Sequence, residues 1–272
     1  SGVLGMGKSR IRKRVHWKYP ANRIISTLST GAAERMSGEK GKKTLPTQQN
    51  ADQVSVFLAK VAATPAVQSA GGRGRLLFAM DATASREPSW DQACHLQAEM
   101  FHATDGLGGL EVQLVFFRGF GECKSSPWVA SSAELVRRMT KVRCLGGRTQ
   151  IRKILRHAIR ETDSKRVNAL VFVGDAFEED IDDVCDIAGE LGVRGVPAFV
   201  FQEGNDPVAT GAFRQIAKLT GGAHCSFDLA SAQQLKDLLS AVAVFAAGGR
   251  MALEDYSSKK GGAARLISNQ MK

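Results

Sequence analysis

From Arg75 onward, short apolar runs alternate with longer stretches whose apolar residues recur every three or four positions. The runs are RLLFAMD (75–81), LEVQLVFF (110–117), NALVFVGD (168–175), VPAFVFQ (196–202) and a weaker HCSFD (224–228). They are nearly continuous rather than alternating, the pattern of strands covered on both faces of a parallel sheet. Between them the periodicity predicts helices over residues 89–103, 131–141, 149–164, 179–191, 207–219 and 231–247. The expected architecture over 75–247 is one α/β domain, a doubly wound, mostly parallel sheet flanked by helices. Upstream, ADQVSVFLAKVAA (51–63) sets Val54, Phe57, Leu58 and Val61 at helical spacing after a cap at Asn50, so a short helix is expected there. Pro65 to Gly74 then reads as a linker. Residues 1–50 hold too few apolar side chains to offset ordering entropy and read as a disordered basic tail. Gly248 to Lys272 reads as a flexible polar tail. No internal repeat is visible.

Charge changes this picture in one respect. The chain of 272 residues carries 37 Lys/Arg against 27 Asp/Glu, a net +10 that by itself suggests an anionic partner. Residues 1–50 hold eleven of the basic and two of the acidic residues, which leaves 26 against 25 for the rest. The predicted domain is therefore nearly neutral, and the length suffices to bury about 75 % of the surface of an unfolded chain without staples. Five dispersed cysteines without a C-x-x-C pair indicate neither a disulfide framework nor a zinc site, and a reducing, cytoplasmic setting is expected. The longest apolar stretch, Leu238 to Ala247, is interrupted by Ser240 and is far below the ~20 residues of a membrane span. The basic N-terminal region lacks the apolar core of a secretory signal.

In a doubly wound sheet, ligands bind outside the carboxyl ends of the strands, where the strand order reverses. The first strand ends in Asp81-Ala-Thr83-Ala-Ser85, a carboxylate and two hydroxyls at alternate positions of one loop. NALVFVGD ends in a second carboxylate, Asp175, and Gly146-Gly147-Arg148-Thr149 puts a third hydroxyl on a glycine-rich turn before a helix. Oxygen donors from three loops suit a small hard cation, Mg²⁺ or Mn²⁺.

At these residues the chain resembles a von Willebrand factor A domain with a metal-ion-dependent adhesion site, of the bacterial intracellular type. That family's pattern is D-x-S-x-S after the first strand, a later Thr and an Asp closing the fourth strand. The sequence matches at Asp81, Ser85, Thr149 and Asp175 and departs at Thr83, where a Thr stands for the usual Ser. The resemblance spans about residues 75–247 and implies a six-stranded sheet with a short antiparallel edge strand, which falls near Glu122 to Val129. It also implies a function: the hydroxyls bind the ion, the carboxylates act largely through water, and a partner protein supplies a Glu or Asp to complete the coordination. The ATPases of the AAA class, or another multi-subunit assembly, are the partners the resemblance suggests. No residue stands out as a catalytic base, so an enzyme is not expected.

Other patterns in the chain have simpler explanations. Gly2 to Ser9 fits G-x-x-x-x-G-K-[ST], but a phosphate loop must follow a buried strand and open a helix, and only Ser1 precedes this one. The DATAS segment resembles the D-x-D-x-T of haloacid-dehalogenase phosphatases, except that Thr83 cannot transfer protons at neutral pH. His95, Glu99 and His102 share a helical face and read as a solvent-facing stripe rather than a zinc site. The acidic run Glu178 to Asp186 reads as charge complementing a helix N-terminus. Arg148, Trp90 and Arg86 are expected on the rim of the partner-binding face. KSRIRKRVHWKY near the N-terminus interleaves cations with Trp17 and Tyr19, which makes nucleic-acid binding through residues 1–35 the rival function. Met36 opens MSGEKGKKTLPT, a polar stretch suited to a natural start.

Overall fold

A computed structural model describes residues 46–64, 72–228 and 232–260, with side chains over 55–64, 72–228 and 232–259. Six strands form one sheet: β1 (Gly74–Asp81), β2 (Leu110–Arg118), β3 (Glu122–Ser125), β4 (Ala169–Gly174), β5 (Ala198–Glu203) and β6 (Ala223–Phe227). Their spatial order is β3-β2-β1-β4-β5-β6. All neighbours pair in parallel except β2 with β3, which are antiparallel, so the expected edge strand is present. It is shorter than the stretch to Val129 that the sequence suggested, although Val129 still bridges Val112.

The eight helices among the described residues are α1 (Pro46–Ala63), α2 (Glu87–Leu96), α3 (Ala98–His102), α4 (Ser132–Met139), α5 (Ile151–Ser164), α6 (Ile181–Val193), α7 (Pro207–Leu219) and α8 (Ala232–Lys260). They divide between two apolar layers because successive strand side chains point to opposite faces. Leu76, Phe78 and Met80 of β1 enter a core completed by α1, α2, α3, α4 and α8. Leu77 and Ala79 enter the other, completed by α5, α6 and α7. The helical period is visible in α5, whose Ile151, Ile154, Leu155, Ala158 and Ile159 form one buried stripe. Truncating a fully buried member of either layer, such as Phe78, costs about 3–5 kcal/mol.

Four sequence expectations change. The helix expected over 51–63 begins at Pro46. The helix expected over 89–103 divides at Gln97 into α2 and α3. The tail expected from Gly248 is helical as far as Lys260: the chain kinks at Gly249, where a φ of 72° suits glycine, and then buries Leu253 in the core. The glycine pair and the polar composition beyond it hid that continuation. Trp90 lies in the core rather than on a rim, its indole N–H donating to the Met139 carbonyl at 3.1 Å. Residues 1–45, with the Gly2 to Ser9 motif and Met36, and most of the expected linker lie outside the described residues.

Candidate metal centre

β1 and β4 lie side by side, and connections run from them to opposite flanks, so the order reverses between their carboxyl ends. Asp81 ends β1 and Asp175 directly follows β4. The Asp81 carboxylate accepts the Thr83 backbone N–H at 2.7 Å, an Asx turn that bends the chain out of the strand. The loop is tied on both sides, with the Ala82 N–H donating to the Phe117 carbonyl and the Leu145 N–H to the Ala82 carbonyl. A 3-10 turn over Ala84–Arg86 then leads into α2.

The five expected donors come together. Asp81, Thr83, Ser85, Thr149 and Asp175 line one open pocket of about 240 Å³, with Gly146, Gly147 and Glu178. The Thr83 and Ser85 hydroxyls lie 3.4 Å apart, and the Ser85 hydroxyl donates to Asp175 Oδ2 at 3.2 Å, across 90 residues of sequence. Thr149 is buried and held reciprocally: its hydroxyl accepts the Glu178 N–H at 2.9 Å, while its own N–H donates to Glu178 Oε2 at 3.1 Å. Gly147 allows this placement, because a Cβ there would sit 2.1 Å from the Gly119 carbonyl oxygen of the β2–β3 turn.

The electrostatics favour a cation. Burial pushes the Asp81 carboxyl up to about 6, against the lowering effect of the Thr83 hydrogen bonds, and the nearby Asp175 charge raises it further. A divalent ion relieves both contributions. The donor set of three hydroxyls and two carboxylates is all oxygen, which fits Mg²⁺ or Mn²⁺ better than a soft metal. Among the described residues no group of three or more His, Cys, Asp or Glu could hold a metal, so this cradle depends on its hydroxyls. The His95, Glu99 and His102 face is otherwise engaged, Glu99 pairing with Lys236 at 3.0 Å and His102 lying 3.6 Å from Asp105.

Arg86 departs from expectation. It is not on the rim but 1 % exposed, its guanidinium 2.5 Å from Glu203 and 3.7 Å from Asp175. Its Nε and Nη2 atoms have no hydrogen-bond partner among the described residues. Arg148 is exposed as expected, and with it the rim displays Phe120 at the β2–β3 turn, 84 % exposed, and Leu145. The acidic run also divides. Asp180 caps α6, accepting from the Asp182 and Asp183 N–H groups. Glu178 instead orients Thr149, and Glu179 reaches the start of α5, accepting from Ile151 N–H at 2.5 Å and Arg152 N–H at 3.1 Å. Sequence reasoning missed Glu178 and Glu179, and their position three and four residues beyond Asp175 was the available signal. The five cysteines are free, and burial raises every thiol, to about 12 for Cys225, so none is poised as a nucleophile.

Known structures resemble this fold. A von Willebrand factor type A protein from Catenulispora acidiphila superposes with a TM-score of 0.50 at 18 % identity, over 62 % of this chain and 42 % of that one. The pilus adhesin SpaC from Lactobacillus rhamnosus GG gives 0.53 at 11 % identity, over 71 % and 31 %. Proximal thread matrix protein 1 from the mussel byssus, in a structure with a zinc-occupied MIDAS motif, gives 0.50 at 15 % identity, over 66 % and 48 %. In each case the match covers less than half of the other chain. No family model and no curated protein matches the sequence. The fold is that of a von Willebrand factor type A domain.

Proposed function

We propose that the chain is a metal-ion-dependent protein-binding module, with Asp81, Thr83, Ser85, Thr149 and Asp175 holding Mg²⁺ or Mn²⁺. The observation that carries this reading is the convergence of those five oxygen donors, from three loops, on one open pocket at the switch point. A divalent ion bound there supplies an electropositive point to which a Glu or Asp of a partner protein is drawn. The chain's own residues prepare that encounter. The Asx turn fixes the two hydroxyls of the first loop, Glu178 fixes Thr149, and Arg86 holds Asp175 from beneath. Leu145 and Arg148 flank the pocket glycines Gly146 and Gly147, and Phe120 follows Gly119, whose carbonyl accepts the Arg148 N–H, so exposed apolar and cationic side chains adjoin the pocket.

A thermal-shift titration tests the reading. By RT ln(1 + [L]/Kd), 10 mM ion at a Kd near 1 mM stabilises by about 1.4 kcal/mol, a rise of roughly 3–6 °C. Mg²⁺ and Mn²⁺ should produce that rise in the wild type and none in Asp81→Ala. An equal response of the two proteins would overturn the assignment. The rival reading, nucleic-acid binding through the basic residues 1–35, rests on their composition. It predicts RNA binding that weakens steeply with salt and disappears when those residues are deleted.

A further inference from the structure

A cavity that the proposed function leaves unused lies at the opposite edge of the sheet from β3. It is a groove of about 650 Å³ along β6, with Val56 and Lys60 of α1 on one wall and Arg214 and Lys218 of α7 on the other. Its floor is the strand itself, Gly222 to Ser226. Among the described residues β6 ends the sheet, with β5 its one partner strand. The Phe227 carbonyl faces β5, accepting the Gly204 N–H at 3.2 Å. The Ser226 carbonyl faces away and accepts the Gln234 side-chain amide at 3.3 Å. By the two-residue period of a strand, His224 also turns its N–H and C=O outward, into the groove. An edge that presents backbone donors and acceptors is a template for another strand.

The walls determine what such a strand carries. Lys60, Arg214 and Lys218 are all exposed, and none makes an ion pair among the described residues. Lys60 and Arg214 both act electrostatically on His224, so the positive field reaches the edge itself. The segments of this chain outside the described residues cannot answer that field. Residues 1–45 hold eleven Lys/Arg and two Asp/Glu, residues 261–272 hold two basic residues and no acidic one, and residues 65–71 and 229–231 hold no charge. None of these segments is therefore the acidic strand that the field calls for.

We infer that the β6 edge is a second protein-docking site, one that takes an extended acidic segment of a partner as a seventh strand of the sheet. β6 itself is five residues long, about 17 Å of edge, which matches the short segments used in strand addition. The segment's alternate side chains face α1 and α7 in turn, and both walls offer a cation. This site is independent of the metal centre.

The test uses the full chain and a fluorescent seven-residue peptide alternating glutamate with valine, followed by anisotropy with and without EDTA. Binding is expected in both conditions and in Asp81→Ala, with slowed amide exchange at His224. Charge reversal by Lys60→Glu together with Lys218→Glu, both on exposed positions, should weaken it at least tenfold, about 1.4 kcal/mol. Two further peptides are N-methylated on alternate amides, one along each edge. Methylation of one edge should abolish binding and methylation of the other should be tolerated, because a single edge meets β6. Equal behaviour of the two methylated peptides would overturn the inference. So would loss of binding with EDTA, absence of binding at 1 mM peptide, or displacement by an equal concentration of oligouridylate, which would mark the groove as a nucleic-acid surface.

Discussion

Two buried arginines stand at opposite ends of β1, and their surroundings differ. Arg75, at the amino end, donates to the carbonyls of Lys165 and Arg166, meets Glu161 at 3.5 Å and Glu111 at 3.6 Å, and lies 3.8 Å over the Trp128 ring. Trp128 in turn donates to Glu161 at 2.7 Å, closing the cluster. Arg86, beyond the carboxyl end, meets two carboxylates and leaves two of its nitrogens without hydrogen bonds. One of those carboxylates, Asp175, also faces the pocket. Among the described residues Arg75 leaves its Nε alone without a hydrogen bond, so the amino end is the more fully satisfied of the two, whereas the carboxyl end holds charge in a balance that a ligand can alter. Doubly wound folds place their chemistry at that second end, and here the electrostatics of a single strand show the division.

The largest effects test whether the two arginines really differ. Arg75→Met removes the buried cation that Glu161 and Glu111 share, although Glu111 keeps Lys165 at 3.4 Å, and should cost about 3–5 kcal/mol in denaturant unfolding, with no change in the response to Mg²⁺. Arg86→Met should cost a comparable amount in EDTA, but part of the loss should return on adding Mg²⁺, because the ion replaces the cation beside Asp175. Equal responses to Mg²⁺ in the two variants would remove the distinction.

A smaller, pH-linked effect belongs to the carboxyl end alone. The Asp81 carboxyl titrates at about 6 in the folded chain, against an ordinary value of 3.8 once the chain unfolds, so between those values the folded form binds more protons than the unfolded. Without metal, stability therefore falls as pH rises from 3.8 to 6, by up to about 3 kcal/mol. With saturating Mg²⁺ that fall should be much reduced, and the apparent affinity should drop on acidification below about pH 6. Unfolding curves on either side of that titration, at about pH 5 and about pH 7.5, with and without Mg²⁺, measure both. The smallest effect is expected at Glu179, where Glu179→Gln weakens the charge at the start of α5 and should cost about 1 kcal/mol, with Thr149 and the ion response little changed.

Four strands were legible because burial on both faces leaves a nearly unbroken apolar run, and these and the weaker, half-buried β6 were placed within two residues at either end. The pocket was legible for a related reason. Strand ends fix the positions of Asp81 and Asp175, and oxygen side chains clustered at strand ends stand out against apolar runs. What the sequence concealed depends on three-dimensional partners. A charged residue such as Arg86 reads as surface until Glu203, 117 positions away, is placed beside it. Glu178 and Glu179 read as part of a helix-capping run, yet they serve Thr149 and α5. Gly248 and Gly249 read as an end, although Leu253 has a core to enter.

The Ser85 to Asp175 hydrogen bond joins donors from the first and fourth strands. No contiguous fragment shorter than about 95 residues contains the set from Asp81 to Asp175. A nascent or partly unfolded chain therefore holds only scattered donors, and the complete pocket requires β1 and β4 to have paired. Recognition through this pocket would count only finished molecules, which gives any assembly that used it an intrinsic proofreading step.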